Sequence, residues 1–323
     1  MNELFEKPPV RNISNSEVTS FLSCKRQYKY GYMLELQPKE TGDPLARGSY
    51  FHYGMELYWL ARLGQIPIYG DAEGVVIGYR PVMLHADAYD YALNNAFIYP
   101  NPDVRGSFEM SMNAQFLWVR YMTFHRGFPD VEPLGTEVKM SVAVTPTLNM
   151  SMKYDFYYRR ISNNKYVILD YKLAYEFWKQ DDHDLNGQMP KYVSILQANG
   201  YQVDEGELEE IRSRDLGKDK AADPKNLWKT SRYVPSQAKK ASLLRQHIGA
   251  SLQIEKFRAL SPEELEAEAL PVLNKHGACK YCNFTDLCIA ELEGKKDLSV
   301  DIRHGYTQNT YVQQYNPTQE VTF

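Results

Sequence analysis

Apolar residues recur at helical spacing through the first third of the chain and at alternate positions in its middle. That change of period predicts helices feeding a sheet. Residues 18–31 (VTSFLSCKRQYKYG) read as a short helix holding Cys24, residues 47–63 (RGSYFHYGMELYWLARL) as a longer one, and residues 108–124 as a third. From Thr136 the pattern alternates through EVKMSVAV, and MSMKYDFYYRR and KYVILDYKL follow as strand-like runs. Residues 186–200 (NGQMPKYVSILQANG) return to helical spacing, with Gly200 as the stop and Pro190 tolerable in a first turn that begins near Gly187. Residues 212–245 lack periodicity and contain Pro224 and Pro235, which predicts a loop-rich insertion. Residues 252–270 are again helical. The stretch 306–323 is polar and unpatterned, an expected arm or disordered tail.

Between the last two strand-like runs lies Ser162-Asn163-Asn164-Lys165. Asparagine tolerates positive φ, so a two-residue Asn163-Asn164 hairpin loop is expected. That register places Asp155 opposite Lys172, with Asp170 a diagonal neighbour on the same face. Within ILDYK (168–172), Asp170 and Lys172 are two apart and share a face in any strand. Two carboxylates and a lysine therefore converge, and a slip of one residue would separate them.

Composition adds bounds. The chain has 323 residues, 43% hydrophobic and 24% charged, the balance of a globular protein. No run of 18 apolar residues exists, so no membrane span is expected. MNELFEKPPV lacks the apolar core of a signal peptide, which predicts a cytoplasmic protein. The formal charge of −4 is unevenly spread: residues 212–245 hold ten Lys/Arg against three Asp/Glu, a local +7 that leaves −11 for the rest. Such a segment is either a polyanion-binding surface or a solvated lysine-rich loop. Within it Lys225, Lys229 and Arg232 are candidate phosphate contacts, and Trp228 and Tyr233 candidate stacking platforms for unpaired bases.

Phosphodiester hydrolysis needs charge neutralisation at the phosphate and a water made nucleophilic at neutral pH. Oxygen-rich sites holding Mg²⁺ or Mn²⁺ supply both, and a nearby lysine can stabilise the developing anion. Asp155, Asp170 and Lys172 meet those needs, although one D-x-K is a common tripeptide and a buried ion pair is the plainer reading. His52 taken alone would more often be a core or surface histidine. The run Asp181-Asp182-His183-Asp184 could bind metal by composition but reads as a solvated loop.

The order of the motifs is more specific than any one of them. His52 in RGSYFH precedes Tyr154-Asp155, then Asp170-Tyr171-Lys172, then Gln188-x-x-x-Tyr192, all bracketed by Cys24 and Cys279-x2-Cys282-x5-Cys288. The whole, from about Cys24 to Cys288, resembles the RecB-like branch of the PD-(D/E)XK nuclease superfamily in its iron–sulfur form, which includes the nuclease domain of AddB and CRISPR-associated RecB-like exonucleases. The resemblance implies an α/β fold. Its restriction-endonuclease-like core would be a mixed central sheet flanked by helices, with a helical N-terminal part and a C-terminal Fe–S segment. It implies one domain over residues 1–305, with 212–245 as a basic insertion and 306–323 as the tail.

It also implies Mg²⁺ or Mn²⁺ ligation by His52, Asp155, Asp170 and the main-chain carbonyl of Tyr171. Lys172 would be the catalytic lysine, and Gln188 and Tyr192 would form a motif beside the active site that touches DNA. Glu137 resembles a frequent family acid. The sequence departs from the family at Lys153 and Tyr154, where a small residue usually precedes the first aspartate. The expected activity is a metal-dependent DNA exonuclease acting on single strands or ends in recombination, repair or processing. The alternative is a non-catalytic DNA-binding or scaffold subunit of the same fold.

The four cysteines fit a disulfide framework poorly without a secretory signal. Structural zinc more often uses two paired C-x-x-C knuckles. The 3+1 spacing resembles the ligation of a [4Fe–4S] cluster in the AddB-type pattern, with Cys24, Cys279, Cys282 and Cys288 as ligands. No G-x-x-x-x-G-K-[ST] run occurs, so unwinding would fall to a helicase or recombinase partner.

Overall fold

In the computed structural model, residues 10–39, 43–70, 75–98, 108–184, 187–214, 223–273, 278–295 and 297–308 are described. The chain forms two compact units. One comprises residues 1–40, 141–152 and 241–323; the other comprises residues 41–140 and 153–240.

The second unit is built on a five-stranded mixed sheet of β1 (Val131–Thr136), β2 (Phe156–Arg160), β3 (Lys165–Ala174), β4 (Glu205–Arg212) and β5 (Trp228–Tyr233), in that spatial order. The β3–β4 pair is parallel and the other pairs are antiparallel. β3 is the central strand, buried almost continuously from Val167 to Tyr171, which explains why ILDY carries apolar residues on both faces. Val167, Leu169 and Tyr171 join a core with helices α1 (Asp43–Leu63) and α2 (Phe108–His125). The opposite face, with Ile168 and Gly206, meets Met189 of α3 (Gln188–Ala198).

The three helices expected at residues 47–63, 108–124 and 186–200 are present, with Gly200 in the left-handed conformation just past α3 at φ +84°. The hairpin differs from expectation. Pairs in β2–β3 run from Phe156↔Leu169 to Arg160↔Lys165, so the loop holds four residues, Ile161 to Asn164. Of the two asparagines, Asn164 alone has positive φ (57°), whereas a two-residue turn of the expected kind needs both. Asp130 also receives the Ser162 N–H (2.6 Å) and hydroxyl (2.7 Å), which anchors the longer loop. The register shifts by two, so Asp155 falls at the position opposite Asp170 rather than Lys172. A shift of two preserves the face.

The loop expected over residues 212–245 is corrected. Residues 215–222 lie outside the described residues, but Trp228–Tyr233 is the edge strand β5, and a helix runs from Gln237 to Arg258. β4 is not marked by its sequence, since EGELEEIR has the composition of a solvated acidic stretch. Its Glu205, Glu207, Glu209 and Glu210 are all at most 4% exposed. The charges come from neighbouring strands: Glu207 faces Arg232 and Glu210 faces Lys229 across the β4–β5 pair, while Arg160 of β2 binds Glu205 and Glu207. Part of the basic segment therefore answers an acidic strand.

In the first unit, Arg11–Ser14 pairs in parallel with Leu148–Lys153, and Lys139–Thr145 completes a three-stranded sheet. Ile13, Val18, Phe21 and Tyr28 pack with Leu148, Ile254 and Phe257. The helix expected over 18–31 is interrupted. Asn15–Ser23 and Lys25–Tyr28 meet at Cys24, which is extended at φ −163°, ψ 114°. The helix expected over 252–270 is divided at residues 259–261, where Ser261 opens Pro262–Glu268 with a capping box. Tyr306–Gln308 pairs with Leu36–Pro38; the rest of the expected tail, 309–323, lies outside the described residues.

Candidate active site

His52 stands on α1, where Gly54 allows close packing: a Cβ there would lie 2.8 Å from the ring of Phe97 and 2.9 Å from Trp118. His52 Nδ1 lies 3.3 Å from Asp155 Oδ2. The same oxygen accepts the Tyr171 N–H at 2.7 Å, which fixes the carboxylate against β3. Glu137 sits between β1 and the next strand with φ +55°, an uncommon conformation for a side-chain-bearing residue that points to a constrained site. Its N–H donates to the Asp155 carbonyl at 3.2 Å, and its carboxylate pairs with Lys153. Ligand atoms of His52, Glu137 and Asp155 all fall within 4.8 Å of one another.

Asp170 is 2% exposed. Its Oδ1 accepts from Gln188 Nε2 at 2.9 Å, and Lys172 Nζ lies 2.7 Å from Oδ2. That second contact is a close ion pair inside the unit. Gln188 Nε2 also donates to the Tyr192 hydroxyl at 2.9 Å. The Q-x-x-x-Y spacing thus places both side chains on one helix face and ties them to the buried aspartate.

The electrostatics are those of crowded acids. Burial pushes Asp170 up to about 6, with Lys172 opposing and Asp155 adding to the rise. Burial and Asp155 push Glu137 up to about 8 against the pull of Lys153. Burial works against the charge on Lys172, but Asp170 and Asp155 outweigh it and hold its pKa above the usual lysine value. A cluster that resists full ionisation by itself suits an added divalent cation.

The structure gathers His52, Asp155, Asp170, Lys172, Gln188 and Tyr192 in the second unit, with Glu137 beside them. Sequence reasoning missed Glu56, one turn after His52 on α1 and raised by burial near Lys153, His52 and Asp155. Its i+4 spacing from His52 was the available signal. At the departure from the family pattern, Lys153 is the partner of Glu137, and Tyr154 is buried.

Four of the five residues expected to bind DNA make side-chain contacts within the unit. Arg232 donates to Glu207 at 2.9 Å, and Lys229 Nζ reaches the Trp178 carbonyl and His183 Nε2, each at 3.2 Å. Tyr233 is buried, with its hydroxyl 2.7 Å from His183 Nδ1. Trp228 packs on Phe124 with ring centroids 4.4 Å apart. Lys225 is exposed. The solvated loop expected around His183 is corrected, because His183 is 2% exposed and lies 3.1 Å from Glu210.

The four cysteines fall in the first unit and none is in a disulfide. Burial raises the Cys282 thiol; the Phe284 N–H, which donates to its sulfur at 3.4 Å, opposes this, and the other three thiols add to the rise. Cys288 is raised by burial, then lowered by Arg26 and raised by Cys24 and Cys279. The four sulfurs are thus electrostatic neighbours.

This geometry agrees with the comparison to known families. The PD-(D/E)XK nuclease superfamily profile matches residues 12–289, and the chain belongs to that superfamily. No curated protein matches it in sequence. Among solved structures it is similar to a protein from Eubacterium rectale described as a presumed exonuclease, at 12% identity and a TM-score of 0.48, covering 90% of this chain and 91% of that one. It is also similar to the protein SSO0001, at 13% identity and a TM-score of 0.36, covering 88% and 89%. Among the described residues no helix is long and apolar enough to cross a membrane.

Proposed function

We propose that the chain is a metal-dependent deoxyribonuclease of the RecB-like branch, an exonuclease acting on DNA single strands or ends. The observation that carries this reading is the convergence of His52, Glu137 and Asp155 within 4.8 Å, beside the buried Asp170–Lys172 pair. His52, Asp155, Asp170 and the Tyr171 carbonyl would hold Mg²⁺ or Mn²⁺, with Glu137 an added acid. The ion, when bound, supplies Lewis acidity at the phosphate and a water that ionises near neutral pH. Lys172 stays protonated beside the two aspartates and offers positive charge to the phosphate as negative charge develops. Gln188 fixes the carboxylate plane of Asp170 and is itself held by Tyr192. The test is incubation of anaerobically purified protein with end-labelled DNA and Mn²⁺ or Mg²⁺. Cleavage abolished by a chelator is expected; binding without cleavage under every metal condition would favour the non-catalytic alternative.

The first unit is read as the closing segment of one nuclease domain spanning residues 1–305, since the family match runs through both units. Four free, neighbouring thiols with an N–H directed at one sulfur fit a [4Fe–4S] cluster, and four thiolates also satisfy zinc. The proposed cluster predicts brown protein when purified without air, with about four iron and four sulfide per chain. Cys24→Ser should destabilise the protein as severely as Cys282→Ser. Colourless protein with stoichiometric zinc would decide for the other metal. A role in recombination, repair or processing, beside a helicase or recombinase partner in the cytoplasm, belongs to the same proposal.

A further inference from the structure

On the sheet face turned away from Asp170 and Lys172, the second unit carries a cavity of about 180 Å³ that is open to solvent on one side. Tyr121, Phe128, Phe156 and Tyr158 are among its walls, and Glu207 and Glu209 of β4 contribute its polar side. Glu209 is 3% exposed. Its Oε2 accepts from the Thr230 hydroxyl, whereas its Oε1 has no hydrogen-bond partner among the described residues. Opposite stands His125 of α2, whose Nε2 is likewise without a partner and lies 3.9 Å from Glu209 Oε1.

That separation is too long for a direct hydrogen bond. It suits one donor-bearing atom seated between the two at about 2.8–3.0 Å from each. Two buried polar atoms left without partners are costly unless something satisfies both. With its proton on Nδ1, His125 accepts at Nε2, and burial holds its pKa down to about 4, so it does not counter the carboxylate. The nearby cations are engaged elsewhere: Arg160 with Glu205 and Glu207, and Arg232 with Glu207. Burial pushes the Glu209 carboxyl up to about 7 against the Thr230 hydroxyl, with Glu207 and Glu210 adding to the rise, and no described Lys or Arg pairs with it. A bound cation would relieve that, in a chamber whose aromatic faces attract one. A cavity of roughly 150 Å³ admits a benzene ring, so this one has room for a ring-sized body.

We propose that this cavity binds a small organic ammonium ion, its N–H groups donating to Glu209 and His125 and its apolar body resting on the aromatic walls. Exposed Thr230 and Arg232 lie among the lining residues, on the side open to solvent. The site goes beyond the nuclease reading, because neither Glu209 nor His125 takes part in the proposed metal centre.

Calorimetric titration of the full chain at neutral pH with benzylamine and with the neutral isostere benzyl alcohol tests this. Benzylamine, protonated at that pH, should bind at least tenfold more tightly than the alcohol. Glu209→Gln, which keeps the side-chain volume, should erase the preference while leaving DNA cleavage unchanged. The contrast between the two probes on the unaltered chain needs no variant to fold. Equal affinity for the two, or no saturable binding of benzylamine, would overturn the proposal and leave the gap to water.

Discussion

Lys172→Ala is expected to lower the rate of DNA cleavage by roughly a hundred- to a thousand-fold, the loss seen when one preorganised charge is removed from a transition state. The ammonium group is held beside Asp170 at 2.7 Å and kept charged by Asp170 and Asp155, so it is in place before substrate arrives. Lys172 is not among the proposed metal ligands. Manganese affinity should therefore persist in the variant, and circular dichroism should show an unchanged fold. Single-turnover kinetics at saturating Mn²⁺ separate this from a binding defect. A variant cleaving at the parent's rate would reduce the Asp170–Lys172 contact to a structural ion pair.

The second large effect is on stability. Arg160→Met should destabilise the chain by on the order of 3 kcal/mol, the usual scale for removing one partner from a buried ion pair. Arg160 is 7% exposed and binds Glu205 and Glu207 on the acidic strand β4. Lys165 and Arg232 remain as partial partners, which keeps the loss from being larger. The pH dependence has a definite sign. Burial raises the Glu205 carboxyl, but Arg160 and then Lys165 outweigh it and hold the folded pKa below the ordinary glutamate value. Such a group contributes stability that is present above its unfolded pKa and lost as pH falls through its folded pKa. The gap between parent and variant, measured by urea unfolding, should thus be widest near pH 7 and narrow on acidification below about pH 4. A gap constant with pH would mean that Arg160 acts by packing alone.

That strand also shows where the sequence ceased to be readable. ILDYK could be read because an acid and a lysine inside an apolar run are costly unless they have a use, and the period of two fixed their common face. The helix carrying Gln188 and Tyr192 was legible for the same local reason. EGELEEIR had the opposite property: its four glutamates resemble a solvated stretch until Arg160, Arg232 and Lys229 arrive from other strands. No local pattern encodes that pairing, so the basic segment looked like an unattached surface. The hairpin register was missed by two residues because Asp130, more than 30 positions upstream of Ser162, helps set the loop length. His52 was found through motif order, while Glu56, on the same helix, was lost in an amphipathic pattern that already accounted for it.

Manganese affinity of the parent, Asp155→Asn and His52→Ala proteins, compared by isothermal titration calorimetry in the absence of DNA, tests the central claim most directly. If the His52–Glu137–Asp155 group, with Asp170 beside it, is the metal centre of a nuclease, the parent should bind Mn²⁺ saturably. Each variant should then lose roughly tenfold or more in affinity together with its cleavage activity. Unchanged manganese binding in both variants, with cleavage intact, would contradict the assignment and place the chemistry elsewhere in the chain.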